Sequence, residues 1–403
     1  MNIKLLAIST MYPGYLNSFD TRFRGIKNLS YYEHLNLLLN DSTEFAGSYT
    51  RTFKKLGINA ECIIANYTLL QNKWTTKNIA NFKNGKHILF EQVKKYKPEI
   101  LWIENLSYTD KEWLAKIRTE VKSIKLIIAY HCSPLSQKII DRFSLVDFVI
   151  TCTPGLRQDM ENLGIRSYLV YHGFDSDLLN KTNEKPVLPQ NNFIFSGSLS
   201  TGAGFHEERI ELIENLLKAQ IGLELYVNLD AKSKIWAKQS LFLLNKFLNK
   251  SGMQRISNAF PILKKGATPV RDYSDTLRGK MNNPVFGIEM YNLFKNSKVV
   301  LNFHIGIAGK YAGNMRLFEV TGVGSCLLTD NKSNLGDLFV VNKEIVVYDN
   351  LEDCIAKAKW LLTNEDEREK IAAAGQQRTL TLHTVENRCK LILEIIVDEL
   401  NRN

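Results

Sequence analysis

A repeating rhythm, in which short apolar runs are separated by amphipathic stretches, limits this chain to a layered α/β architecture. The runs Ile3 to Ile8, Ala60 to Ala65, Ile100 to Ile103, Leu126 to Tyr130, Phe148 to Thr151 and Ser167 to Tyr171 read as strands, with helical patterns between several of them. Strands alternating with helices form a parallel, doubly wound sheet. The polar, proline-punctuated stretch from Asn180 to Gln190 reads as a linker. A second series follows. Strands are predicted at Asn192 to Ser196, Leu223 to Val227, Lys298 to Phe303, Ser325 to Thr329 and Ile345 to Tyr348, with helices at Glu207 to Ala219, Leu351 to Leu362 and Glu365 to Ala374. The expected organisation is two facing Rossmann-like doubly wound domains, 1–180 and 191–382, joined by a linker at 181–190. A looser basic insertion occupies 231–284. A closing segment, 383–403, carries Leu391, Ile392, Ile395, Ile396 and Leu400 at helical spacing and should pack back across a domain.

Size and charge agree with this reading. A chain of 403 residues exceeds what one hydrophobic core usually serves, and 44% hydrophobic with 23% charged residues is ordinary for a globular enzyme. Met1 to Ile8 is too short an apolar run for a signal peptide, and no stretch approaches the roughly 20 apolar residues of a membrane span. Six cysteines are scattered without close pairs, so neither a zinc site nor a disulfide framework is expected, and the expected compartment is the cytoplasm. The net charge of +10 is diffuse. It lacks the basic stripe with interleaved aromatics of a nucleic-acid binder, and suits attraction of anionic substrates or contact with the anionic inner face of a membrane. Gln239 to Leu248 reads as an amphipathic helix, either a local cover or a membrane contact.

The chemistry-bearing run is Gly313-Asn314-Met315-Arg316-Leu317-Phe318-Glu319, followed by Gly322, Gly324 and the apolar Cys326-Leu327-Leu328. A glycine-bearing loop leading into a helix puts free N–H groups and Arg316 where an anion is favoured. Glu319, three residues on, shares that helical face and can accept hydrogen bonds from sugar hydroxyls. A nucleotide-sugar diphosphate is the ligand suggested, and a solvated Arg–Glu pair is the bland alternative. His304 ends a predicted strand and precedes a loop holding Lys310 and Tyr311, in which Lys310 could add a second positive charge. The Gly197-Ser198 turn, at the end of the second domain's first strand, could offer backbone N–H groups to the same diphosphate.

Several segments together resemble glycosyltransferases of the spore-maturation-protein-like group. They are Phe286-Gly287-Ile288-Glu289-Met290-Tyr291, Val299-Val300-Leu301-Asn302-Phe303-His304, Asn314 to Glu319, Ala374-Gly375-Gln376-Gln377-Arg378 and His383-Thr384-Val385-Glu386-Asn387-Arg388. Asp147 to Thr153 and Tyr171 to Asp175 are loosely similar to the last strands before such a family's interdomain linker. The resemblance implies a GT-B fold with the donor held by the C-terminal domain and the acceptor by the N-terminal one. It also implies two glutamates eight positions apart around the donor. Glu319 matches the second, which would hold the nucleotide ribose, whereas the first falls on Tyr311. Arg316 would then neutralise the leaving diphosphate, without a metal or other cofactor. Asp175-Ser176-Asp177 has metal-pair spacing, but reads more simply as a capping turn.

Sugar transfer usually needs a base for the acceptor hydroxyl. In a parallel sheet the cleft lies at the carboxyl ends of strands, which selects Asp20, Glu104 and His131 as catalytic candidates. His131 also matches in position the histidine that related two-domain transferases place near the donor sugar. The expected function is transfer from a nucleotide diphosphate-sugar to a hydroxyl on a saccharide or lipid-linked saccharide, in cell-surface polysaccharide or glycolipid synthesis. The alternatives are a non-catalytic nucleotide-sugar-binding or assembly protein, and a nucleotide-sugar epimerase on the same fold.

Overall fold

The computed structural model describes residues 3–43, 45–81, 84–183, 191–202, 205–251, 268–306 and 309–402. Six strands form the first sheet: β1 (Lys4–Ser9), β2 (Asn59–Ile64), β3 (Ile100–Ile103), β4 (Leu126–Tyr130), β5 (Phe148–Thr151) and β6 (Ser167–Leu169). Their order is β2-β1-β3-β4-β5-β6, and every pairing is parallel. The second sheet comprises β7 (Asn191–Leu199), β8 (Leu223–Leu229), β9 (Met281–Asn282), β10 (Ser297–Asn302), β11 (Cys326–Asp330) and β12 (Val346–Tyr348). Its order is β12-β11-β10-β7-β8-β9, again all parallel. The strands are apolar on both faces because helices cover both. On β1, Leu5 and Ala7 enter one core layer and Leu6 and Ile8 the other. In the second sheet Phe193 and Leu301 face one layer, Ile194 and Val300 the opposite one.

In each sheet the strand order reverses beside the first strand of the domain, between β1 and β3 and between β7 and β10. A crevice opens at such a reversal, at the carboxyl ends of the strands. The two crevices face each other. The domains touch through glycines with no room for a side chain: a Cβ on Gly14 would lie 2.3 Å from the Phe286 ring, and one on Gly155 2.7 Å from the Tyr311 ring.

The helix Val385–Arg402 belongs spatially to the first domain. Its Val385, Cys389, Ile392, Ile395 and Ile396 complete the core layer that holds Leu5 and Ala7. Glu399 anchors it, accepting from Arg166 Nη1 at 2.7 Å and Tyr168 Oη at 2.5 Å. The chain returns along Phe174, whose N–H donates to His383 O at 2.8 Å and whose carbonyl accepts from Val385 N at 2.9 Å.

Several local expectations change. β7 runs through Leu199, so Gly197 and Ser198 are ladder residues opposite Val227 and Asn228 rather than a turn. The helix expected to stop at Ala374 runs from Glu365 to Leu382, because no proline interrupts it and Gly375 packs against Glu344 O. The short edge strand β9 carries too little apolar sequence to be foreseen. The linker expected at 181–190 begins inside a helix, Asp177–Asn183, and residues 184–190 lie outside the described ones. Within the insertion, Lys232–Lys250 is one helix, and 252–267 lie outside the described residues.

Candidate active site

A cleft of about 700 Å³ lies between the facing strand ends, lined by residues of both domains. The second domain contributes the denser chemistry. Asn302, the last residue of β10, is buried and clasps Asn314: Asn314 Nδ2 donates to Asn302 Oδ1 at 2.7 Å. Asn302 Nδ2 also donates to Thr329 Oγ1 at 2.9 Å. Asn334 holds the same loop two residues earlier, accepting from Ala312 N at 2.6 Å and donating to Ala312 O at 2.9 Å. Gly313 fits between, where a Cβ would meet Thr153 Cγ2 at 2.4 Å and Cys152 O at 2.7 Å. The loop is thereby fixed at the domain junction.

His304 follows β10 and is 2% exposed. Asp330, ending the neighbouring β11, lies 2.7 Å from its Nδ1 and also accepts from its backbone N–H at 3.0 Å. That leaves Nε2 of this cleft-lining residue without a partner among the described residues. Burial works against the Asp330 charge, but the hydrogen bonds and charge of His304 outweigh it and leave the carboxyl below its usual range.

Arg209 lies near the start of the helix Glu207–Lys218. Its guanidinium donates to two carbonyls, Phe303 O and, at 3.3 Å, Ser198 O, and bonds no carboxylate among the described residues. Burial pulls its pKa down to about 10, so an arriving anion would relieve a desolvated cation. His206 Nδ1 also meets Ser198 O, at 2.9 Å.

Arg316 and Glu319 are partners within the structure. Arg316 Nη1 donates to Glu319 Oε2 at 2.7 Å, and Nη2 to Ser196 O at 3.0 Å. The guanidinium lies 4.4 Å from the centroid of the Phe294 ring, and Tyr291 Oη donates to Glu319 Oε1 at 3.3 Å. The helix they share is short, Arg316–Gly322, with no side-chain cap. Both residues line the cleft, so the pair forms part of its floor.

Of the residues expected to hold a donor, the cleft gathers Gly197, Ser198, His304, Gly313, Asn314, Arg316 and Glu319. Lys310 and Tyr311 are not among its lining residues. Lys310 is exposed, with its ammonium 5.2 Å from the Tyr311 ring centroid, and the Tyr311 ring rests against Gly155. None of the three proposed bases lines the cleft either. Asp20 is exposed on the first helix, Pro13–Arg22, and accepts from Tyr67 Oη. Glu104 directly follows β3, its N–H donating to Ile8 O at 2.9 Å. His131 is buried edge-on to Phe143, with Nε2 3.2 Å from Ser133 Oγ, and burial lowers its pKa.

The expectation of unpaired cysteines is corrected. Cys132 and Cys152 are joined in a disulfide on the first domain's wall of the cleft, beside His172. Burial drives the His172 pKa down to about 4. Sequence reasoning also passed over Arg209, Asp330 and Asn334. Asp330 had a usable signal, since the β10–β11 register of Asn302 with Thr329 sets it beside the residue before His304.

Residues 253–394 match the model of a glycosyl transferase-like family. No curated protein matches the chain. Similar solved structures include a glycosyltransferase from Rickettsia africae, 14% identical over all of both chains with a TM-score of 0.55. Anabaena HepE in complex with UDP-glucose is 10% identical, with 98% of this chain and 100% of that chain covered and a TM-score of 0.57. Sucrose-phosphate synthase from Thermosynechococcus elongatus is 9% identical over all of both chains, with a TM-score of 0.55. These likenesses establish the fold as two facing Rossmann-like domains of the GT-B type, and within it residues 253–394, in the C-terminal domain, are similar to the glycosyl transferase-like family.

Proposed function

We propose that the enzyme takes its sugar from a nucleoside diphosphate-sugar seated at the β7/β10 reversal and transfers it to a hydroxyl of a saccharide or lipid-linked saccharide. The observation that carries this reading is the charge balance of the seat. Among the described residues, Arg209 is hydrogen-bonded only to carbonyls and His304 Nε2 has no partner, and both face a cleft whose single lining carboxylate, Glu319, is already bound by Arg316. Such a site favours a dianionic diphosphate and stabilises the charge that grows on it as the glycosidic C–O bond breaks. Arg209 and His304 supply that stabilisation without a metal ion. The acceptor oxygen then bonds to the anomeric carbon. With no free carboxylate among the described lining residues, its proton passes to the departing diphosphate oxygen. Attack therefore comes from the leaving-group face, and the anomeric configuration is retained. The complex of Anabaena HepE with UDP-glucose, on the same fold, supports a uridine nucleotide as the first donor to try.

The acceptor is read as membrane-borne from the helix Lys232–Lys250. Trp236, Leu243 and Phe247 are 71%, 63% and 62% exposed along one stripe, among Lys232, Lys246 and Lys250. That composition suits an anionic lipid surface. No helix among the described residues is long and apolar enough to cross a membrane.

The test is a thermal-shift panel of UDP-, GDP-, TDP- and CMP-sugars on wild type, Arg209→Ala and His304→Ala, followed by product analysis with the sugar that binds. A base-specific shift lost in both variants, with turnover and a retained anomer, is the expected result. No shift with any nucleotide overturns the donor assignment, binding without turnover favours a non-catalytic role, and an inverted product overturns the proton route.

A further inference from the structure

Three strand ends of the first sheet deliver two thiols and an imidazole to one point on the cleft wall. β4 and β5 pair with Tyr130 opposite Ile150. Carried two residues beyond the strands, the same register sets Cys132 opposite Cys152, and their Cα atoms lie 5.7 Å apart. β6, paired with β5 through Leu169 opposite Thr151, is followed three residues later by His172. The ligand atoms of the three side chains lie within 4.8 Å of one another, and all three residues line the cleft.

We propose that the reduced chain binds a Zn²⁺ ion through Cys132 Sγ, Cys152 Sγ and one ring nitrogen of His172, with the fourth position open to the cleft. Two thiolates and an imidazole are soft and borderline donors that select zinc over the oxygen-seeking Mg²⁺ and Ca²⁺. Zinc bonds of about 2.3 Å to sulfur and 2.0–2.1 Å to nitrogen place tetrahedral ligand atoms about 3.4–3.8 Å apart. Once the disulfide is reduced, the ligand atoms, now within 4.8 Å of one another, have about 1 Å to adjust to that spacing, a shift of the size that rotation about Cα–Cβ supplies.

The surroundings are those of a metal-binding histidine. Tyr130 Oη lies 3.2 Å from His172 Nδ1 and 3.5 Å from Nε2, an outer partner that can hold the ring through whichever nitrogen the ion does not take. Three protein ligands and an exposed fourth position describe a site that takes a water or a hydroxyl oxygen, rather than a closed structural one. The ion would sit on the first domain's wall, across from Arg209 and His304, so the site stands whether or not a nucleotide binds the second domain.

The full-length chain is reduced with a phosphine in metal-free buffer, incubated with Zn²⁺ and desalted. Bound zinc is then counted by mass spectrometry, and a parallel sample takes Co²⁺ for its sulfur-to-cobalt absorption. The expected result is about one zinc per chain and a thiolate–cobalt band, both lost in Cys132→Ser and Cys152→Ser and weakened in His172→Ala. Tyr130→Phe should keep the ion but bind it roughly 10- to 100-fold more weakly, which a purely structural tyrosine would not do. Circular dichroism confirms that each variant is folded, and Tyr130→Phe carries the test if a cysteine variant is not. The proposal is overturned if wild type retains less than a tenth of an equivalent while both thiols react freely. It also falls if the disulfide resists the phosphine, or if bound zinc survives both serine variants.

Discussion

Substituting alanine for Gly313 tests whether the junction loop builds the donor seat. Ordinary contact begins near 3.4 Å, and the new Cβ would lie 2.7 Å from Cys152 O, so the loop must retreat by about 0.7 Å from a carbonyl that cannot rotate away. Thr153 Cγ2, at 2.4 Å, can turn aside, but the carbonyl sets the minimum shift. Asn314 Nδ2 then stands about 3.4 Å from Asn302 Oδ1 instead of 2.7 Å, beyond useful hydrogen-bond range. Arg316, two residues on, is pulled from Ser196 O. Overpacking of this kind lowers stability by about 1–3 kcal/mol. Losing one neutral hydrogen bond and weakening one charged one should reduce nucleotide affinity roughly 10- to 100-fold. The assay is calorimetric titration with the nucleotide found by thermal shift. Gly336→Ala is the control, since nothing lies within 4 Å of its Cβ. If Gly313→Ala melts lower yet binds nucleotide like wild type, the loop is a domain contact and not part of the seat. If neither quantity changes, the close packing itself is wrong.

Glu319→Gln keeps the shape beneath Arg316 and should lower stability by less than 2 kcal/mol, whereas Arg316→Ala strands a carboxylate 5% exposed and should lose about 3–5 kcal/mol, read by urea unfolding. Asp330→Ala frees the His304 ring and should reduce kcat roughly 10- to 100-fold with a smaller change in KM, checked by steady-state kinetics on the confirmed donor. His34 and His383 are held neutral by burial, each pKa lowered to about 4 from an unfolded value near 6.5. Between those values the unfolded chain binds more protons, so stability present at neutral pH is lost as pH falls through this window, by about 2 kcal/mol per histidine at pH 5. Urea titrations at pH 7 and 5 measure it, and His34→Gln should remove its share. Ile396→Ala, at a fully buried position, should destabilise the first domain by about 2–5 kcal/mol, seen as earlier melting in calorimetry.

The two sheets were legible because their strands are apolar on both faces and spaced by helices, a pattern local in sequence. The second domain's wall of the cleft was partly legible for the same reason: His304 and Asn314 sit at strand and helix boundaries. Arg209 was not, since an arginine on an amphipathic helix looks like surface, and only the crossing of that helix over β7 turns it inward. Asp20, Glu104 and His131 were chosen by position at strand ends, but facing the cleft is a matter of loop direction, which periodicity does not encode. Lys310 and Tyr311 were placed by loop composition, while Ser333 and Asn334, which fasten that loop, lie more than 20 residues away. The cysteine pair illustrates the opposite lesson. Twenty residues looked like scatter until the β4–β5 register made the offset of 20 meaningful.

The closing helix also sets the order in which this polypeptide can mature on a ribosome. The first sheet is synthesised early, yet the core layer on one of its faces stays open until Val385 to Ile396 have emerged. The second domain's strands, all between Asn191 and Tyr348, are available sooner. Vectorial, first-domain-first maturation is therefore denied to this chain. Its first domain stays partly bare on that face until the helix Val385–Arg402 has been made and has docked.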